Sequence, residues 1–151
     1  MREKILVGVL SAIFFLATVG IGSVFASDAE VWLKKAQAAA RAGNYQKAVI
    51  FLKKACDTGD AIGCGALGLM YHKGLRVKQN YTKAVILFKK ACDGGHAWGC
   101  YNVGVMYYYG LGVPLNKIKV YQYWMKAAKQ GDAEAQRNLD ILCRESPWAC
   151  R

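Results

Sequence analysis

Apolar side chains return every three or four positions through AVILFKKAC (84–92), and lysines occupy the gaps. That spacing collects the apolar groups on one face of an α-helix and the charges on the other. The same pattern stands 36 positions earlier as AVIFLKKAC (48–56), and each copy is followed by a second apolar stretch, GALGLMYHKG (65–74) or NVGVMYYYG (102–110). Gly59, Gly95 and Gly131 fall where the first helix should stop, since glycine enters the left-handed region without penalty. Asp60 and Asp132 follow at the N-cap of the next helix. His96 takes that place in the middle copy and is expected to be a solvated turn residue.

A fixed period of this length is the mark of a stacked-repeat architecture. The chain therefore reads as an all-α solenoid of helix pairs, with a first unit over about 28–59, repeats over about 60–95 and 96–131, and a capping helix and tail over 132–151. The third copy is weaker: Lys126-Ala127-Ala128 and Gly131-Asp132-Ala133 keep register, but Ala128 and Gln136 stand at the cysteine positions. The first unit has only Gly43-Asn44 between its helices and resembles a tetratricopeptide hairpin. Gly68 and Gly104 sit inside helices, at a cost of about 1 kcal/mol each relative to alanine. Their repetition predicts close backbone contact between helices. The last helix, DAEAQRNLDILC, has no helix after it, so the tail with Pro147 and Trp148 is expected to cover its open end.

The N-terminus changes the setting. MREK followed by ILVGVLSAIFFLATVGIG and the small-residue site Val24-Phe25-Ala26 reads as a signal peptide over 1–26, cleaved after Ala26. The alternative is a retained membrane anchor, because the apolar run is long enough to span a bilayer. A signal peptide implies a secreted or periplasmic protein, in contact with a membrane only through that segment. In an oxidising compartment the six cysteines, all beyond position 26, are read first as disulfides. The repeat pairs Cys56 with Cys64 and Cys92 with Cys100, which leaves Cys143 for Cys150. Ala55, Gly63, Ala91 and Gly99 supply the small neighbours that such close crossings need. Zinc is the weaker reading, as the spacing is not C-x-x-C and only His72 and His96 could complete a site. A thioredoxin-type couple lacks its C-x-x-C as well. No metal and no cofactor are expected.

The formal net charge is +11. Lys53, Lys54, Lys89, Lys90 and Lys126 recur in phase and predict a basic stripe. Export argues against nucleic acid as its partner and favours an anionic envelope, glycan or acidic surface. A plain solvated face is the competing account.

The pattern A…LG-x-MY-x-x-G-x-x-V…KA…KKAC-x7-C resembles the Sel-one-like repeat family, and its cysteine-rich exported form resembles the Helicobacter cysteine-rich proteins. The resemblance implies a right-handed superhelix of disulfide-stapled helix pairs and a penicillin-binding or weakly β-lactam-hydrolysing activity. The side chains offer that activity little. Beyond position 26 the serines are Ser27 and Ser146, and Ser146-Pro147-Trp148-Ala149 is not the Ser-x-x-Lys of serine β-lactamases. Two histidines do not make a metallo-β-lactamase site. Bridged cysteines leave no thiolate.

Binding along a concave helical face is the reading the architecture supports directly. Asn102 and Asn138 lie one repeat apart and could hold an extended backbone through their amides, with Ala66 at the same register in the first copy. Tyr108, in register with His72, and Trp98, in register with Ile62 and Glu134, are the other contact candidates. Tyr107, Trp32 and Trp124 read as core. The chain is expected to be a monomer, and its expected ligands are a β-lactam or cell-wall-derived small molecule, or an extended peptide or protein; a structural or antigenic envelope protein held near the cell surface by its basic stripe is the third reading.

Overall fold

The computed structural model describes residues 28–151, all of it helices, turns and loops. Helix α1 runs through the described positions 28–41. It is followed by α2 (Tyr45–Asp57), α3 (Ala61–Lys73), α4 (Tyr81–Asp93), α5 (Ala97–Tyr109), α6 (Lys117–Lys129), α7 (Ala133–Glu145) and a 3-10 turn at Pro147–Cys150. The signal-peptide segment expected over 1–26 lies outside the described residues. Among those residues no helix is long and apolar enough to cross a membrane.

Two kinds of junction alternate, and each follows from local chemistry. After α2, α4 and α6 the chain turns through a glycine at positive φ, with Gly59 at 93°, Gly95 at 86° and Gly131 at 93°. Asp60 and Asp132 then accept the backbone N–H groups of Gly63 and Ala135, which starts α3 and α7. The longer loops after α3 and α5 begin at Gly74 and Gly110, both left-handed, and end at Asn80 and Asn116, whose side chains accept from Lys83 and Lys119 N–H. His96 departs from the expectation of a solvated turn. It makes no side-chain cap, it is half-buried, and its ring lies 6.1 Å edge-on to Trp98.

Consecutive helices pack on one another from α2 to α7, and α3 also reaches α5. The even helices form one layer and α3, α5 and α7 the other. One core runs under α4 to α7, built around Phe88, Met106, Val103, Val120 and Leu142. A smaller one under α1 to α3 holds Ala36, Leu52, Leu67 and Met70.

All six cysteines are paired: Cys56–Cys64, Cys92–Cys100 and Cys143–Cys150, with Cα separations of 4.5, 4.4 and 5.6 Å. The first two crossings need their glycines. A Cβ on Gly63 would stand 2.8 Å from Ala55 Cβ, and one on Gly99 would stand 2.7 Å from Ala91 Cβ and 2.8 Å from Cys92 N.

Gly68 and Gly104 correct the sequence reading. They do not bring backbones together; they seat aromatic rings. A Cβ on Gly68 would meet the Phe88 ring at 2.9 Å, and one on Gly104 would run into the indole of Trp124. Trp32 is also not core. It is half-buried, stacks on Phe51 and carries Lys35 and Lys54 over its ring at 4.5 and 4.3 Å. At the C-terminal end the tail folds back as expected, but Ala149 and Ser146 do the covering, each 2% exposed, while Trp148 points outward.

Candidate binding groove

The expected contact residues fall in two neighbouring intervals between successive α3, α5 and α7 helices. Tyr108 and Asn138 meet in the interval between α5 and α7, where a pocket of about 370 Å³ is lined by Tyr101, Val105, Tyr108, Trp124, Asn138 and Ile141 among others. Its floor is a stack: the Tyr108 ring lies over Trp124 at 5.7 Å, and Tyr101 lies on the same indole at 6.1 Å. Trp124 is fixed by Gly104 beneath it and by its Nε1–H, which donates to the Tyr101 carbonyl at 3.1 Å.

Polar groups converge on the rim. The Tyr101 hydroxyl donates to Glu134 Oε1 at 2.9 Å and accepts from Asn138 Nδ2 at 3.1 Å. Burial and the bond to Glu134 push the Tyr101 hydroxyl up to about 12. It stays a neutral hydrogen-bonding group, the opposite of an activated phenolate nucleophile. Tyr101 was not singled out from sequence; its phase, 33 and 37 positions from its two partners, falls outside the strict repeat.

The two asparagines behave differently. Asn102 turns its Nδ2 back to the Trp98 carbonyl at 2.7 Å, within its own helix, whereas Asn138 reaches across to Tyr101. They are in register by sequence but spend their donors on different partners. Trp98 and His72 belong to the interval between α3 and α5. Trp98 meets Phe88 edge-on at 5.7 Å and covers Gly65, and His72 tilts against Tyr81 and Phe88 at 5.5 and 6.5 Å. Burial, helped by Lys73, lowers the His72 pKa and so favours the neutral imidazole. This middle interval is filled by its own aromatic side chains.

The lysines in phase do not all stay free. Lys89 donates to the Tyr107 hydroxyl at 3.1 Å, which raises its pKa, and Lys126 pairs with Asp93 at 3.2 Å. Lys54 lies over Trp32. The structure also brings together a serine and a lysine that the sequence leaves 29 positions apart: Lys117 Nζ donates to Ser146 Oγ at 2.8 Å. That arrangement has the form of a nucleophile with its base, but Ser146 is 2% exposed beneath the tail, out of reach of a substrate carbonyl. It is a structural tie. Among the described residues no three His, Cys, Asp or Glu side chains gather in a way that could hold a metal ion.

The repeat geometry agrees with what comparison shows. The Sel1 repeat pattern matches residues 37–60, 61–96 and 99–132. This chain belongs to the Sel1 repeat family. Its Sel1 units are similar to those of the Helicobacter pylori cysteine rich protein B, whose structure is 34% identical over 64% of this chain and 72% of that one, with a TM-score of 0.62. That places the array in the Helicobacter cysteine-rich branch. A Sel1 repeat protein from Oxalobacter formigenes is 26% identical, covers 76% of this chain and 34% of its own, and has a TM-score of 0.71. The protein named "Putative beta-lactamase HcpD" of Helicobacter pylori is 37% identical over 67 residues, 44% of this chain and 22% of that protein. The match thus spans about a fifth of the length of this curated relative. With three disulfides and relatives of this branch, the Sel1 array is an extracytoplasmic protein.

Proposed function

We propose that this Sel1 array is a binding scaffold that holds an extended segment of a partner protein along the face formed by α3, α5 and α7. The observation that supports it is the pocket between α5 and α7. It has an apolar aromatic floor, Tyr108 on Trp124, and a hydrogen-bonding rim, the Asn138 amide and the Tyr101 hydroxyl that Glu134 holds in place. A side chain can enter the floor while its backbone exchanges hydrogen bonds with the rim, the combination by which grooves read peptides. Tyrosines serve such contacts because they bring large area and a polar tip at low entropic cost.

A second reading is β-lactam binding with weak hydrolysis, supported by the name that HcpD carries. The chemistry of the groove favours binding over turnover, since Tyr101 is held neutral and Ser146 is buried. The test is a random-peptide library panned against the oxidised protein, with Tyr108→Ala and Asn138→Ala in parallel and a chromogenic cephalosporin assayed on the same preparations. Peptides whose affinity falls at least tenfold in both variants, with cephalosporin turnover at the buffer background, are expected. Cephalosporin hydrolysis that disappears in Tyr108→Ala would replace the scaffold reading with the enzymatic one.

A further inference from the structure

The groove between α5 and α7 has a counterpart two repeats earlier, between α1 and α3, that is not filled in the same way. Stepping by the repeat, Ala36 corresponds to His72 and Tyr108, Leu52 to Phe88 and Trp124, Ala66 to Asn102 and Asn138, and Ile62 to Trp98 and Glu134. In the middle interval these positions pack an aromatic cluster, Trp98 on Phe88 with His72 beside it. In the last they hold Tyr108 on Trp124. In the first interval each is aliphatic, and the space the rings would take is an open groove of about 760 Å³, twice the size of its counterpart. The fold itself shows what this space accommodates: planar aromatic side chains lying across a helix pair.

The rim says what accompanies the ring. Arg76 closes one end, its guanidinium 5.5 Å from the Tyr45 ring, with its backbone held at a φ of 58° and its carbonyl accepting from Gln46 Nε2 at 3.3 Å. No acidic residue lines the groove, and the ion pairs of the described residues are Lys34–Glu30 and Lys126–Asp93, so Arg76 has no carboxylate partner there. Ile62 is 50% and Leu75 47% exposed on the same lip. An apolar cavity with exposed aliphatic edges and one unspent cation complements an aromatic group beside an anion.

We propose that the groove between α1 and α3 is the docking site for an aromatic anchor of an acidic, extended peptide segment, with the ring in the space bounded by Ala36, Leu52 and Ala66 and a neighbouring carboxylate on Arg76. This rests on the scaffold reading of the α3–α5–α7 face and extends it to a defined subsite. The anchor restores, from the partner, the aromatic cluster that the other two intervals supply from the chain.

The experiment is an amide chemical-shift titration of the isotope-labelled, oxidised protein with the peptide acetyl-Ser-Trp-Glu-Ser-amide. Peptides with Trp→Ser or Glu→Lys serve as probes of each element. Saturating shifts at Ala36, Leu52 and Ala66 are expected for the parent peptide, with no saturation for the Trp→Ser peptide. Ile62→Trp, which copies Trp98 at an exposed position, should fill the groove and weaken binding at least tenfold. Arg76→Glu should weaken the parent about threefold and favour the Glu→Lys peptide instead, as for an exposed ion pair. Saturating shifts confined to the Tyr101–Tyr108 pocket would overturn this subsite and leave the scaffold standing. Equal binding of parent and Trp→Ser peptides, or indifference to Ile62→Trp and Arg76→Glu together, would overturn it as well. Absence of saturation in a protein that still binds library-selected peptides through Tyr108 and Asn138 would overturn the subsite alone.

Discussion

Gly104 lies directly beneath the indole of Trp124, so close that a Cβ on it would run into the ring. Trp124 is 5% exposed and stacks with both Tyr101 and Tyr108, contacts that hold the ring in place against the glycine. Gly104→Ala is therefore expected to destabilise the protein by about 1–3 kcal/mol through overpacking, even though alanine is the better helix former. Gly65→Ala is the control. Its Cβ would stand 3.5 Å from Trp98, ordinary contact, so it should be neutral or stabilise by up to about 1 kcal/mol. Denaturant unfolding of the two variants under oxidising conditions decides the matter.

The bridges differ in exposure. Cys92 and Cys100 are both 0% exposed, whereas Cys143 and Cys150 are half-buried at the tail. A graded reductant should open Cys143–Cys150 first and Cys92–Cys100 last, as followed by mass spectrometry after thiol alkylation. Replacing Cys92 and Cys100 together by alanine is expected to cost roughly 2–3 kcal/mol, the value for closing so short a loop.

Lys117 reaches the buried hydroxyl of Ser146 and so holds the tail on α6. Lys117→Met should cost about 1–3 kcal/mol, because it leaves a buried polar group without its partner. Ser146→Ala should cost less, since the freed lysine can turn to water. The double variant should lie near Ser146→Ala alone, a non-additivity that a double-mutant cycle measures directly.

His72 should titrate below the ordinary imidazole value of about 6.5, since burial disfavours its charged form. With the folded value below the unfolded one, the unfolded chain binds more protons between the two. Stability therefore rises with pH across that window and is lost as the imidazole is forced to charge at lower pH. A proton-resonance titration of the ring locates the midpoint, and His72→Gln should flatten the slope of stability against pH near 6.

What the sequence made legible was whatever repeats or acts locally. The C-x7-C pairs, the glycine turns and the caps at Asp60 and Asp132 depend on neighbours within one junction, and the period reports them twice. Gly68 and Gly104 were visible as unusual, but their partners, Phe88 and Trp124, lie on the next helix, so the kind of contact was not. Asn102 and Asn138 share a register and still divide, because only Asn138 faces a Tyr101 hydroxyl. Trp32 looked like core because tryptophan usually is; here Lys35 and Lys54 lie over its ring. The tie between Lys117 and Ser146 left no trace in the pattern. It joins the start of α6 to the tail once, with nothing to repeat.

Each disulfide joins residues seven or eight positions apart, across one junction. Two of the three cross from one repeat to the next, Cys56–Cys64 from the first matched unit into the second and Cys92–Cys100 from the second into the third. As the chain emerges into an oxidising compartment from its N-terminus, every cysteine meets its proper partner before the next pair arrives, so oxidative folding calls for little reshuffling. The same wiring buckles each 36-residue unit to its neighbours in phase with the repeat. Loss of a whole copy such as 61–96 would take Cys64 and Cys92 together and bring Cys56 to eight positions from Cys100, so the array can change length without leaving an unmatched thiol behind.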